Sequence, residues 1–264
     1  IGKGLVDKDL VTPAVVFGAL VGAMFWNVVT WLKGIPSSSS HALVGGIIGA
    51  GGAHAGIPSI QWSGLNKTLI AIVLSPTLGM MLSMLIMLVT SWLGVRATAA
   101  GAERTFRALH LVSSATYSLG HGLNDAQKTM GIITVLLYST GYLGGEFHVP
   151  HWVAISCYIA IGLGTLSGGW RIIETMGTRI TKLSQHQGFS GSLGGSVMLI
   201  SASWLGIPVS TTHTITGCVI GAGAARRASA VRWGVAGNVM TAWVVTIPAS
   251  ASVAAIFYWI ASAF

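Results

Sequence analysis

The chain repeats itself. Gly34-Ile35-Pro36-Ser37-Ser38-Ser39-Ser40-His41, followed by Gly45, Gly49 and Gly51, returns as Gly206-Ile207-Pro208-Val209-Ser210-Thr211-Thr212-His213, followed by Gly217, Gly221 and Gly223. Every pair is 172 positions apart, and the same offset pairs Asn66 with Asn238 and Pro76 with Pro248. A fixed period over this many positions means that one structural unit is present twice. The setting of the two copies decides what kind of unit it is. Of 264 residues, 14 are Lys or Arg and 6 are Asp or Glu, 52% are apolar, and the mean hydropathy is +0.74. Soluble domains are about one quarter charged, so these copies belong in lipid.

Charge-free runs cover residues 10–32, 34–66, 68–95, 147–170, 183–225 and 233–264. One crossing needs about 20 such residues, so the longer runs have to fold back or break within the bilayer. The 36 glycines suit close helix packing, because small residues let backbones approach where lipid supplies no hydrophobic drive. The ten Trp and five Tyr suit interfacial belts. The expected fold class is all-α: a polytopic membrane protein with inverted-topology repeats and broken or re-entrant helix hairpins. The first repeat is assigned to residues 1–95 and the second to 96–264.

A net charge of +8 raises the question of nucleic acid, but the cations sit in short segments between apolar runs. Arg96, Arg104 and Arg107 form one segment, Arg171, Arg179 and Lys182 another, and Arg226, Arg227 and Arg232 a third. The positive-inside bias places all three in the cytoplasm and removes the case for a nucleic-acid partner. The loop at 52–66 is then outside and its counterpart at 224–233 inside, so the two copies are expected to have opposite orientations. Residues 109–138 cross outward with a polar interruption at 120–125, the loop 141–151 is outside, and 152–169 returns. Residues 170–187 space Ile172, Ile173, Met176, Ile180 and Leu183 at helical intervals against Arg171, Arg179 and Lys182, which predicts an amphipathic helix on the cytoplasmic surface. The run 189–225, broken at 206–208, is a hairpin entering and leaving on one side. Residues 17–51 form its equivalent from the other side. No signal peptide is visible, and the true N-terminus is expected upstream of Ile1.

The hairpin tips carry the chemistry. Pro36 and Pro208 are expected to end the preceding helices, and the hydroxyl-rich residues after them to cap the next ones. A helix begun in this way leaves N–H groups free and its positive dipole end at the tip, an anion-binding arrangement. Ser38, Ser39, Ser40, Ser210, Thr211 and Thr212 are the candidate substrate-binding hydroxyls. Capping alone explains either cluster taken singly; duplication beside an intramembrane Pro favours a site. Asp125 and Lys128 are the only charges between His110 and Gly145, in a segment that is otherwise membrane-like. Buried charge there marks function, although three positions apart the two residues also make a structural ion pair. An ionised Asp125 does not attract an anion; it suits a coupling cation or a proton. Asn124, with donor and acceptor, suits both substrate and cation, and Lys128 offsets substrate charge or holds Asp125 ionised. His41 and His213 are read as packed histidines. No zinc-type spacing, nucleotide loop or nucleophile elbow is present, so no metal cofactor and no enzyme activity are expected.

Gly120-His121-Gly122-Leu123-Asn124-Asp125-Ala126-Gln127-Lys128-Thr129-Met130-Gly131 resembles the Gly-x-Asn-Asp signature of the inorganic phosphate transporter (PiT) family, and the two Pro-x-Ser-x-x-His stretches resemble its paired hairpin motifs. The resemblance covers essentially the whole chain. It implies a multi-pass symporter of the bacterial inner membrane that moves inorganic phosphate with a proton or sodium ion, as free phosphate or with a divalent metal, by alternating access. Asn124 would serve substrate, and Asp125, Asn124, Gln127 and Lys128 the coupling cation. Membrane lipid is a partner, a homo-oligomer is compatible, and sulfate or another small oxyanion is the alternative cargo. Family members carry the Asn-Asp signature twice. The position 172 residues before Asp125 lies upstream of Ile1, so the chain is expected to lack its first Asn-Asp helix and not to transport alone. Gln127-Lys128 resembles the bacterial branch, and the Lys128 ammonium is expected to fill part of a sodium ion's volume.

Overall fold

The computed structural model describes residues 5–6, 10–144, 146–206 and 209–263. Among them, nine α-helices follow in chain order: α1 (Pro13–Lys33), α2 (Ser39–Ala55), α3 (Trp62–Leu93), α4 (Ala99–Ser139), α5 (His151–Leu166), α6 (Trp170–Glu174), α7 (Gln185–Trp204), α8 (Thr211–Arg226) and α9 (Trp233–Ser262). Helices α1, α3 and α9 are long and apolar enough to cross a membrane. Helix α5 runs into α6 and the π-type turn Thr175–Arg179 through a 68° bend. The chain is thus an all-α, multi-pass membrane protein with broken helix pairs.

The duplication holds at the level of elements. Shifted by 172, the α1–α2 hairpin falls on α7–α8 and α3 on α9, and the short 3₁₀ turn at Ile57–Ser59 falls within one residue of that at Ala228–Ala230. Each repeat therefore reads hairpin, 3₁₀ turn, long helix. Both long helices contain their proline, Pro76 in α3 and Pro248 in α9.

The chain forms two compact units. Unit 1 comprises residues 1–70, 125–169 and 241–264; unit 2 comprises 71–124 and 170–240. In unit 1 the α1–α2 hairpin packs against α9, which belongs to the other repeat. A Cβ at Gly22 would meet the Ser250 carbonyl, one at Gly45 the Ile247 carbonyl, and one at Gly49 the Ala251 carbonyl. Unit 2 repeats this with partners exchanged. There α7–α8 packs against α3, and a Cβ at Gly194 would press on Ser83, one at Gly217 on the Pro76 carbonyl, and one at Gly221 on the Met80 carbonyl. Small residues set this backbone-to-backbone distance, the packing that lipid-embedded helices rely on. A buried hydroxyl ties the seam of unit 2, where Ser83 Oγ donates to the Cys218 carbonyl at 2.9 Å; in unit 1 the buried Ser250 hydroxyl donates within α9, to the Thr246 carbonyl at 2.8 Å.

Three expectations need correction. Residues 120–125 do not interrupt their helix: α4 runs unbroken for 41 residues, starting at Ala99 and taking in Arg104 and Arg107. Gly120 and Gly122 cost about 1 kcal/mol each in a helix interior, too little to break one that has no proline and packs Gly120 on Leu199. The amphipathic helix expected over 170–187 stops at Arg179. Ile180 and Thr181 are buried outside any helix, and a new helix starts where Ser184 and Gln187 form a reciprocal capping box. Finally, α1 ends at Lys33, closed by Gly34 at φ 67° before Pro36 is reached. The equivalent roles of Ile207 and Pro208, and the charged stretch at 3–9, lie largely or wholly outside the described residues.

Candidate functional site

In unit 1 the link between α1 and α2 is held from several directions. The left-handed Gly34 turns the chain, the Trp243 indole N–H donates to the Pro36 carbonyl at 3.1 Å, and the Ser37 hydroxyl donates to Thr30 Oγ1 at 2.8 Å. Trp26 Nε1 donates to Thr246 Oγ1 at 3.0 Å, adding a second tie from α1 to α9. Ser38 then caps α2: it is extended, and its hydroxyl accepts the His41 N–H at 3.2 Å.

In the first turn of α2, the Ser40 hydroxyl accepts from the Lys128 ammonium at 2.7 Å. The same ammonium pairs with Asp125 Oδ1 at 3.0 Å, with the Lys128 and Asp125 side chains only 9% and 13% exposed. The expected i,i+3 pair is therefore real, and it also reaches the hairpin tip. A buried carboxylate, a hydroxyl and a fixed ammonium beside a helix N-terminus form a set that can hold a cation by its oxygens or an anion by its N–H donors. Ser38 and Ser40 are buried within the set, whereas Ser39 and Gln127 are exposed and lie outside it.

Unit 2 builds the same tip from neutral parts. Ser210 is extended and its hydroxyl accepts the His213 N–H at 3.2 Å, the same distance as its counterpart. The Asn124 amide is directed at the Val209 carbonyl at 3.5 Å, the long limit of a hydrogen bond. The Tyr117 hydroxyl donates to the Thr211 carbonyl at 3.3 Å. Ser210, Thr211 and Asn124 are buried and Thr212 half-buried. Asn124 thus belongs to unit 2 and Asp125 to unit 1, in keeping with adjacent helical residues pointing about 100° apart.

His41 and His213 are both buried directly behind their caps, in keeping with packed histidines. Trp243, Thr30 and Tyr117 were not identifiable beforehand. Positions 172 away from Trp243 and Thr30 hold Ala71 and Ala202, so the repeat gives no signal. Trp243 is moreover buried, where tryptophans are expected in the interfacial belts.

Paired glycine-seamed hairpins with capped tips, a largely buried Asp–Lys pair and long apolar helices define a polytopic transporter. The family model described as "Phosphate transporter family" matches residues 1–102 and 96–254. The chain belongs to that family, one of transporters and not of enzymes. It is 61% identical to a probable low-affinity inorganic phosphate transporter of Rhizobium meliloti (strain 1021), over 99% of this chain and 78% of the relative. A Bacillus subtilis (strain 168) protein of the same description is 39% identical over 97% of this chain and 79% of its own length. One from Mycobacterium tuberculosis (strain ATCC 25618 / H37Rv) is 42% identical over 98% of this chain but only 62% of its own length. A solved structure titled "The sodium-dependent phosphate transporter" superposes with a TM-score of 0.88 at 24% identity, covering 99% of this chain and 84% of that one; at that identity the likeness speaks for the fold.

Proposed function

We propose that this protein works as a cation-coupled symporter of inorganic phosphate in the bacterial inner membrane, by alternating access. The observation that carries the reading is the buried Lys128 ammonium shared between Asp125 and Ser40 at the start of α2. Charge is costly at that depth, and one ammonium bonded both to a carboxylate and to the hairpin tip gives the charge a role beyond holding one helix.

In this reading the start of α2 with Ser38 and Ser40 serves phosphate oxygens in unit 1, and the start of α8 with Ser210, Thr211, Thr212 and the Asn124 amide does so in unit 2. Asp125 serves the coupling cation, with Asn124 and Gln127 as neighbours on the same helix. Lys128 fills part of the volume that a sodium ion would need beside Asp125, which favours a proton as the coupled ion or a phosphate carried as its metal complex. The test is uptake of labelled phosphate by the intact protein in vesicles, with unlabelled sulfate as competitor. Asp125→Asn, which keeps shape and removes charge, is expected to lower coupled uptake at least ~100-fold, about 2.7 kcal/mol, with insertion unchanged. Normal uptake by that variant makes Asp125 a structural partner only, and competition by sulfate equal to that by phosphate replaces the cargo.

A further inference from the structure

Two of the three basic segments of unit 2 come together on one ledge. Two segments distant in sequence meet there: the stretch from α6 to Lys182, and the turn from Arg226 to Trp233 that links α8 to α9. The Arg232 N–H donates to the Ile180 carbonyl at 2.8 Å, and Ile180, Val219, Ile220, Val231 and Ala236 form the buried cluster beneath. The junction is therefore built into the core of the unit and is not a chance approach of loops.

Above that core, Lys182, Arg226, Arg227 and Arg232 are all exposed. The two segments contain one carboxylate, Glu174, and Arg179 takes it with Nε and Nη2, each 3.1 Å from Oε1. Lys182, Arg226, Arg227 and Arg232 are exposed on segments that hold no second carboxylate. Charge of one sign gathered on a fixed scaffold calls for an anionic partner. The apolar residues on the same segments say which anion. Trp170 is 77% exposed, Ile173 55% and Trp233 52%, and exposed Trp beside Arg and Lys is the composition of a surface seated at headgroup level, rings among the acyl chains and cations among the phosphates. The Trp233 indole N–H is tied to the Ala228 carbonyl at 3.1 Å, which stiffens the turn that carries the arginines.

We propose that this ledge is a docking surface for the headgroups of anionic phospholipids, with Lys182, Arg226, Arg227 and Arg232 as the phosphate-facing cations and Trp170, Ile173 and Trp233 against the chains. A juxtamembrane cation gains from an anionic leaflet within about a Debye length of it, so four on one scaffold bind selectively and in a salt-dependent way. The surface is independent of the phosphate-handling residues, and its occupant is lipid and not free phosphate.

The test uses the intact protein in nanodiscs of phosphatidylcholine with and without phosphatidylglycerol, read by the midpoint of thermal unfolding. Phosphatidylglycerol is expected to raise the midpoint by about 3 °C or more, high salt to remove the rise, and the combined Lys182→Gln, Arg226→Gln, Arg227→Gln, Arg232→Gln variant to lose it at unchanged expression. An equal midpoint in the two lipids, or a rise that the variant retains, overturns the proposal and leaves the cations as determinants of orientation alone. An equal rise on adding inorganic phosphate to phosphatidylcholine discs overturns it in favour of a free-anion site. Should the combined variant fail to insert, the wild-type response to lipid and to salt still decides.

Discussion

Units 1 and 2 share a backbone plan and differ in charge. Ser38 and Ser210 cap their helices with the same 3.2 Å bond, and in each unit glycines seat a hairpin on the long helix of the other repeat. Unit 1 then places a buried ion pair on its hairpin tip, where Lys128 meets Asp125 and Ser40, whereas unit 2 presents an amide, a phenol and hydroxyls at the equivalent place. The comparison teaches that the duplicated element is the capped, glycine-seamed hairpin, a backbone device. What the tip does depends on side chains that reach it from α4 and, in unit 1, from α9, where Trp243 stands opposite Ala71 at the repeat offset.

The sharpest way to break the comparison is to remove the charge that distinguishes unit 1. Lys128→Met leaves the Asp125 carboxylate buried without its ammonium and is expected to lower stability by about 3 kcal/mol, with most of that restored in the Lys128→Met, Asp125→Asn double variant. In unit 2, Asn124→Ala removes only a long hydrogen bond and is expected to cost about 1 kcal/mol. Thermal or denaturant unfolding of the solubilised protein measures both, and equal losses would erase the distinction drawn here.

The shared plan predicts equal effects. Gly45→Ala and Gly217→Ala each push a Cβ onto a carbonyl of the facing helix and are expected to cost about 1–3 kcal/mol, alike within error. A large loss at one and none at the other would mean that the two seams are not equivalent. Smaller still are the caps: Ser38→Ala and Ser210→Ala are each expected to cost about 1 kcal/mol.

The smallest predicted effect belongs to unit 2. His186, in the first turn of α7, stacks on Phe106 at 3.8 Å and bonds the Thr90 hydroxyl at 2.6 Å, and burial lowers its pKa below the usual imidazole value. The fold thus favours the neutral ring. Its contribution is complete above the unfolded value of about 6.5 and is lost as pH falls below it. Midpoints measured from pH 7.5 to 5.5 are expected to fall in wild type and to fall less in His186→Gln.

Much of this was legible in residue order. The 172-residue offset marks both hairpins, both caps and both prolines of the long helices, because caps and turns are local and leave local signatures. The Asp125–Lys128 pair was legible too, as charge at helical spacing in an apolar stretch. The exchange of long helices between repeats was not, since Gly45 and Gly217 announce a close approach without naming the helix that approaches. Nor was the continuity of α4, where local glycine propensity lost to tertiary packing. The end of the surface helix at Arg179 was hidden because Ile180 and Leu183 keep the apolar periodicity after the helix stops, and only the Ser184–Gln187 capping box shows where the next one begins.

Asp125, Lys128 and Ser40 are proposed to couple a cation to phosphate movement. The most direct measurement is uptake of labelled phosphate by the intact protein in proteoliposomes under an imposed pH gradient, and separately under a sodium gradient. Uptake driven by the pH gradient and indifferent to sodium is the predicted result. Phosphate uptake that follows sodium and ignores the pH gradient would contradict it.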